Sequence, residues 1–451
     1  MTLSTALATS KVHFIGIGGI GMCGLAELLF NMGAHVTGSD LSENSQTRRL
    51  KDMGIAVFIG HHSDQVGDAD VVVYSGAVKS SNPEYQSARE KKIPLIPRAE
   101  ALAEIMRLKR GVAVAGTHGK TTTTSLTASV FLQGKLDPTI VVGGRLDLIK
   151  STACLGQGEW LIAEADESDG SFNRLSPEVV IVTNIDNDHL DHYGNFTRLQ
   201  QAFFDFASRI PFYGLLVLCG DDPETLKLFS DFGKRMVTYG FGDHNDYQLK
   251  KVAPQEYRVL QSGQDLGPMS PSLPGSHNAL NALASLIVGL EAGIPFVDCA
   301  QALSHFAGVD RRFQKRYSKE GIDSFDDYGH HPTEIQAALS GFRERFPDRR
   351  LVVLFQPHRF SRTKLCWPQF LTCFTLADVV YITDIYPAGE APLPGVSSEL
   401  LCGQIQHPSC EYLPLSHHQD IAPIRQQLKK GDVFITLGAG DVWKWQDLLF
   451  V

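Results

Sequence analysis

A chain of 451 residues is too long for one ordinary hydrophobic core and predicts about three domains. Its 43% hydrophobic and 20% charged residues are a globular composition, which excludes disorder over most of the length. A formal net charge of -9 excludes a dedicated nucleic-acid binder, which needs clustered Lys and Arg, and leaves room only for a small anion in a local basic pocket.

The opening residues, MTLSTALATSK, have no basic segment followed by an apolar one, so no secretory leader is expected. No apolar run reaches the roughly 18 residues that span a bilayer, so no membrane insertion is expected. The eight cysteines are scattered without a C-x-x-C pair, the usage of reduced thiols in a cytoplasmic protein.

In chain order, KVHFIGIGG reads as a buried strand running into a glycine turn, and Gly16 to Gly21 form a literal G-x-G-x-x-G. Asp40 ends the next strand, HVTGSD, about 20 residues on. Alone, this pattern fits a nicotinamide dehydrogenase. Its physical content is only that a diphosphate can approach backbone at a helix N-terminus while a carboxylate meets a ribose or base, and a sugar nucleotide satisfies that equally. VVVYSGA and PLIPRAE extend this α/β unit to about residue 107, and a basic connector, MRLKRG, follows.

RGVAVAGTHGKTTTT opens the second unit with a strand and a shortened phosphate loop, because Gly116 and Gly119 are separated by two residues rather than by more. Gly116, Thr117, His118 and Gly119 would expose backbone N–H groups at a helix N-terminus. Lys120 would bring its ammonium to the phosphates, and the hydroxyl of Thr121 would reach a metal. Four consecutive threonines, including Thr122, are poor helix formers, so the run is read as hydroxyls and N–H groups turned toward an anion. WLIAEADESD, VVIVTNID and GLLVLCGDDP are further strands, which put Glu164 and His189 beyond strand ends on the loop's side of a sheet. The cluster Glu164, Asp166, Glu167 and Asp169 could equally be a solvated loop. GSHNALNALASLIVGLEAG has helical spacing, with Asn278 and Asn281 about one turn apart; a capping or buried-polar role is the plain alternative for Asn281. RRLVVLFQPHR, DVVYITDIY and DVFITLGAGD supply the strands of a third α/β unit.

The glycine-rich diphosphate unit, GTHGKT, EADESD, NDHLD, GSHNALNALA and a third α/β unit, in this order, resemble the Mur ligases of peptidoglycan synthesis over essentially the whole chain. The resemblance implies a three-domain α/β protein: a Rossmann-like N-terminal domain over 1–107 for a UDP-sugar, a central phosphate-loop ATPase-like domain over 108–316 for ATP and Mg²⁺, and a Rossmann-like C-terminal domain over 317–451 for an amino acid. The shortened loop is the family's ordinary form. FIGIGGIGMCGLAELL, DDYGHHPTEI, FQPHRFSR and DIYPAGEAPLPG look like the member that joins L-alanine to UDP-N-acetylmuramic acid. No lysine lies between Lys150 and Lys227, where later members carry a carbamylated one. The murein-tripeptide recycling member is the alternative.

The resemblance also implies residue roles. Lys120 and His189 would act in phosphoryl transfer, with Thr121, Glu164 and His189 holding Mg²⁺. Asn281 would contact adenine, and Arg312 and Asp327 the nucleotide. Gly18, Gly19, Ile20, Gly21, Asp40, His61, Ser75 and Arg98 would contact the UDP-sugar. His330, His358, Arg359 and Arg362 would line the amino-acid pocket, the two arginines converging on a carboxylate and a histidine, with a pKa near working pH, orienting or deprotonating the amine. For PHRFSR a basic surface turn is the plain alternative. The expected partners are UDP-N-acetylmuramic acid, ATP and L-alanine, in a monomer or weak homodimer.

Overall fold

The computed structural model describes residues 9–146, 149, 151–188, 190–414 and 421–450. It divides into two compact units, one of Met1–Val252, Glu256–Ser270 and Leu280–Ala307, the other of Ala253–Gln255, Pro271–Ala279 and Gly308–Val451.

The first unit contains two sheets. The smaller is formed by β1 (Lys11–Ile15), β2 (His35–Asp40), β3 (Ala56–Ile59), β4 (Val71–Tyr74) and β5 (Leu95–Pro97), all parallel, in the order β3-β2-β1-β4-β5. The strand order reverses between β1 and β4, and a ligand crevice belongs beyond the carboxyl ends of such a pair. The larger sheet holds β6 (Arg110–Ala115), β7 (Thr139–Leu146), β8 (Ser151–Cys154), β9 (Trp160–Glu164), β10 (Val179–Val182), β11 (Leu215–Cys219), β12 (Met236–Gly240), β13 (Tyr247–Ala253), β14 (Glu256–Gln261) and β15 (Gln264–Met269). Their order is β15-β14-β13-β12-β11-β10-β6-β9-β7-β8. β6 therefore lies between β10 and β9, parallel to both. β6, β9, β10 and β11 are almost wholly buried, as parallel strands covered on both faces must be.

The two sheets share one apolar core that runs from Phe14, Leu25 and Met106 to Ala113, Phe172 and Phe203, which is why they form a single unit. A polar clamp adds to it. Glu27, on the helix Ile20–Asn31, accepts from Arg49 and, at 2.9 Å, from the hydroxyl of Ser151 on β8, while Arg49 donates to that same hydroxyl oxygen. A Cβ on Gly24 would lie 2.6 Å from Thr152 Oγ1, so the helix can seat on β8 only with glycine there.

The second unit's sheet comprises β16 (Gln314–Lys319), β17 (Ile322–Asp327), β18 (Leu351–Phe355), β19 (Val379–Ile382), β20 (Cys410–Tyr412) and β21 (Val433–Leu437), in the order β16-β17-β21-β18-β19-β20. Only β16 pairs antiparallel. The chain is thus a three-sheet α/β protein, and every apolar run read as a strand forms one. The hairpins β7–β8, β14–β15 and β16–β17 are additions that the sequence reading left out.

Candidate functional site

The strongest chemistry gathers where β6, β9 and β10 end side by side. Gly116 (φ +136°) and Gly119 (φ +85°) take backbone conformations that L-residues rarely adopt, and they fold residues 116–119 into a tight loop before the helix Lys120–Gln133. The segment after β10 staples this loop. Thr117 N–H donates to Asn184 O (3.0 Å), His118 N–H to Asn184 Oδ1 (2.9 Å), and Thr183 Oγ1 donates to His118 O (2.6 Å). The N-cap, Gly119, gives no side-chain cap, so the N–H groups of the first helical turn point out of the helix end without an intrahelical acceptor. That is an anion cradle.

Lys120 Nζ reaches back across the loop to Gly116 O (2.7 Å), Thr117 O (3.1 Å) and Glu167 Oε1 (2.8 Å). Burial alone would lower its pKa, but Glu167, Asp166 and Glu164 outweigh burial and raise it. One ammonium cannot satisfy three carboxylates. Glu167, fully buried and beside Asp166, is pushed up to about 7 despite Lys120. Glu164 ends β9, and its Oε2 accepts from Gly143 N–H at 2.9 Å; a Cβ on Gly143 would lie 2.6 Å from that oxygen, so only glycine lets β7 pass. His189 lies outside the described residues.

The threonine run differs from its expectation. Thr123 and Thr124 are fully buried rather than turned toward an anion, and Thr124 and Thr127 donate to the carbonyls of Lys120 and Thr123 one turn back. Thr121 and Thr122 alone remain at the helix N-terminus. Asn281 packs against the loop, since a Cβ on Gly119 would lie 2.9 Å from its Oδ1. Asn278 instead donates to Pro274 O at 2.7 Å, a local buried hydrogen bond.

In the smaller sheet the glycine loop is held by its own neighbours. Gly16 and Ile17 donate to Ser39 O (2.9 Å each), and Gly18 N–H donates to Asp40 Oδ2 at 2.8 Å. Asp40 therefore ties the loop down through Oδ2. Gly19 is the N-cap of the helix Ile20–Asn31, again without a side-chain cap, and the N–H groups of Ile20 and Gly21 remain for an anion. Ser75 follows β4, and His61 follows β3. Arg98 connects the two sheets' sites: a Cβ on Gly21 would lie 3.2 Å from its Cδ, and its guanidinium is 3.8 Å from Asp166 Oδ2. A Cβ on Gly76 would likewise lie 3.8 Å from Asp169 Oδ2. The glycine loop and the acidic turn beside the phosphate loop thus share a wall.

In the second unit, His330 and His358 place their ring centroids 5.6 Å apart, His358 stacks on Tyr386, and Arg362 lies 3.3 Å from His358 Nδ1. The two arginines diverge. Arg359, with φ +65°, is the N-cap of the helix Phe360–Leu365 and lies 3.8 Å from Glu390 Oε1, whereas Arg362 is buried on the side of His358. Burial, reinforced by Arg362, lowers the pKa of His358 to about 4; burial, against Glu334, lowers that of His330 to about 3. Both rings are neutral at working pH, which corrects the expected pKa near 7 and favours orienting an amine over deprotonating it. Asp327 spends both oxygens on backbone, accepting from Phe313 and Gly329 N–H at 2.9 and 2.8 Å. Arg312 lies 3.8 Å from Glu334 and over the ring of Tyr328.

Three family models match the chain in order: "Mur ligase family, catalytic domain" over residues 11–110, "Mur ligase middle domain" over 114–289, and "Mur ligase, glutamate ligase domain" over 311–440. A UDP-N-acetylmuramate--L-alanine ligase of Bdellovibrio bacteriovorus is 57% identical over 443 residues, covering 97% of this chain and 98% of that one. One from Solidesulfovibrio magneticus is 51% identical, covering 96% of each. A solved UDP-N-acetylmuramate-alanine ligase from Thermotoga maritima matches with a TM-score of 0.80 at 31% identity over 98% of each chain. A murein peptide ligase from Psychrobacter arcticus, at 24% identity and a TM-score of 0.71 over 98% of each chain, shares the fold.

Proposed function

The chain belongs to the Mur ligase family, and we propose that it joins L-alanine to the lactyl carboxylate of UDP-N-acetylmuramic acid at the expense of ATP, in peptidoglycan synthesis. Identity of 57% over nearly the full length of a relative named for that reaction supports the choice of L-alanine. The observation that carries the mechanism is the shared wall, where Arg98 lies between Gly21 of one nucleotide loop and Asp166 beside the other.

A free carboxylate is too stable to accept an amine. Transfer of the γ-phosphoryl group to it gives an acyl phosphate and ADP; the amine of L-alanine then attacks the acyl carbon and phosphate leaves. In the first step two anions must approach. Lys120 and the N–H groups of Gly119 to Thr122 offset that repulsion on the ATP side, and Arg98 does so on the carboxylate side, so the residues act by positioning and electrostatics. Glu167 holds Lys120 at the mouth of the loop until phosphate oxygens replace it.

Magnesium fits the donors present. Three carboxylates around one ammonium leave the loop with excess negative charge, and Thr121 and Glu164 offer hard oxygen ligands, to which His189 would be added. Bound there, the ion would neutralise charge on the phosphate oxygens. Asn281, against Gly119, would meet the nucleotide. His330, His358, Arg359 and Arg362 would receive L-alanine, with Arg359 the better-placed cation for its carboxylate. The proposed domain limits are 1–107, 108–316 and 317–451. Among the described residues no helix is long and apolar enough to cross a membrane, and the compartment proposed is the cytoplasm.

The test is phosphate release from ATP with UDP-N-acetylmuramic acid and either L-alanine, the L-Ala-D-Glu-diaminopimelate tripeptide, or no acceptor. Release that requires both sugar nucleotide and L-alanine is expected. Preference for the tripeptide would assign the recycling reaction, and release without acceptor or sugar would reduce the protein to an ATPase.

A further inference from the structure

The first unit holds a carboxylate whose surroundings the scheme above does not use. Glu84 lies in the first turn of the helix Pro83–Glu90 and is wholly buried, although Asn82 already caps that helix. Its Oε2 is 2.9 Å from His13 Nε2 and accepts from Ser39 Oγ at 2.7 Å. Its Oε1 accepts from His62 N–H at 3.3 Å and is 3.2 Å from His61 Nδ1. Burial would raise its pKa, but hydrogen bonds from His13, Ser39 and His61 outweigh burial and hold it below the ordinary carboxylate range. A buried carboxylate is costly unless it is bonded this thoroughly, and an apolar residue would fill a merely structural position more cheaply.

The location suggests what the cost is for. Ser39 is the penultimate residue of β2, and its carbonyl receives the N–H groups of Gly16 and Ile17 in the glycine loop. His61 follows β3 on the same carboxyl edge. Its Nδ1 is 2.9 Å from Ser39 Oγ, whose single proton is given to Glu84. Both neighbours of Nδ1 are thus acceptors, so Nδ1 carries the proton and the ring is fixed with Nε2 on the side away from the carboxylate. Glu84 and His13 have no side-chain exposure, whereas His61 keeps 12%.

We propose that Glu84 is a positioning residue of the sugar-nucleotide site, acting through His61: with Ser39 it fixes the protonation and angle of the imidazole so that Nε2 meets the bound sugar nucleotide. This rests on the reading of that site given above. His13 anchors Oε2, the oxygen that also accepts from Ser39, and is itself fixed by Thr37 Oγ1 at 2.8 Å.

The experiment is steady-state phosphate release by Glu84→Gln, His61→Ala and the double variant, with each substrate varied in turn. Glu84→Gln should raise KM for UDP-N-acetylmuramic acid about tenfold, the scale of one hydrogen bond to a charged group, with kcat and the KM values for ATP and L-alanine unchanged. His61→Ala should do the same, and the double variant should be no worse than His61→Ala alone. A full additional factor in the double variant, an equal rise in KM for ATP, or no rise in sugar-nucleotide KM would overturn the proposal. Should Glu84→Gln fail to fold, Ser39→Ala, which removes the bridging hydroxyl, must raise the same KM without affecting His61→Ala further, or the proposal falls. Calorimetry separates the premises: a wild-type protein that does not bind UDP-N-acetylmuramic acid sinks the site reading itself, whereas binding without coupling sinks only the role of Glu84.

Discussion

Replacing Gly119 by alanine tests the phosphate loop with a single methyl group. At φ +85° and ψ −4°, an L-residue costs about 1–2 kcal/mol relative to glycine. The added Cβ would lie 2.9 Å from Asn281 Oδ1 and 3.2 Å from Nδ2, and Asn281 is 6% exposed. Turning that amide off its rotamer adds about 0.5–1.5 kcal/mol, for a total of roughly 1.5–3.5 kcal/mol. A chain with two units need not unfold in one step, so the measurement is native-state hydrogen exchange at the fully buried strand residues Val112 to Ala115. Their protection should fall by that amount, and KM for ATP should rise. In Gly119→Ala/Asn281→Ala the contact portion should be recovered and the backbone portion retained. Full protection with an unchanged ATP KM in the single variant would refute the claim that the left-handed turn and its contact with Asn281 are required.

Lys120→Ala should bind UDP-N-acetylmuramic acid as the wild type does by calorimetry but release phosphate on the order of 10²–10³-fold more slowly, since it removes the cation aimed at the transferred group. Near-normal release would remove Lys120 from the mechanism. Burial lowers the pKa of His277 and His358 to about 4 and of His330 to about 3, all below the unfolded value. Between pH 6.5 and 4 the unfolded chain therefore binds protons that the folded chain refuses, and stability should drop as pH falls, by at most about 1.4 kcal/mol per pH unit for each histidine. His358→Gln should flatten part of that slope; an unchanged slope would mean that the ring is not buried neutral. Glu390 accepts from Ser361 N–H and Oγ at 3.0 and 2.6 Å and lies 3.8 Å from Arg359. Glu390→Ala should raise KM for L-alanine and leave that for ATP alone; the reverse pattern would place the amino acid elsewhere.

The parallel framework was legible because continuous apolar runs such as VVIV and LLVLC have few other uses at that length, and each ends in the turn that carries its chemistry. The hairpins β14–β15 and β16–β17 were not, because EYRVLQ and QKRYSK are half-exposed strands whose charged and polar side chains blur the apolar signal. Their turns did carry a sign: Ser262-Gly263 and Glu320-Gly321 supply consecutive positive φ angles, as two-residue hairpin loops require. At the site, composition marked the acidic turn, but which carboxylate meets Lys120 depends on the path of residues 165–170. Glu84 was invisible for a related reason, because its partners His13 and Ser39 lie 71 and 45 residues away. The histidine pKa values follow from burial, which neighbouring sequence does not encode.

The clamp of Glu27, Arg49 and Ser151 has a bearing on inheritance. Glu27 and Ser151 are separated by 124 positions, and Glu27 keeps only 13% of its side-chain surface. A crossover between residues 49 and 151 that brings in a different residue at 151 would take the Ser151 hydroxyl away from the nearly buried Glu27, at about 1–3 kcal/mol. The sugar-nucleotide and phosphate-loop modules should therefore pass between lineages together, with Gly24 and Thr152.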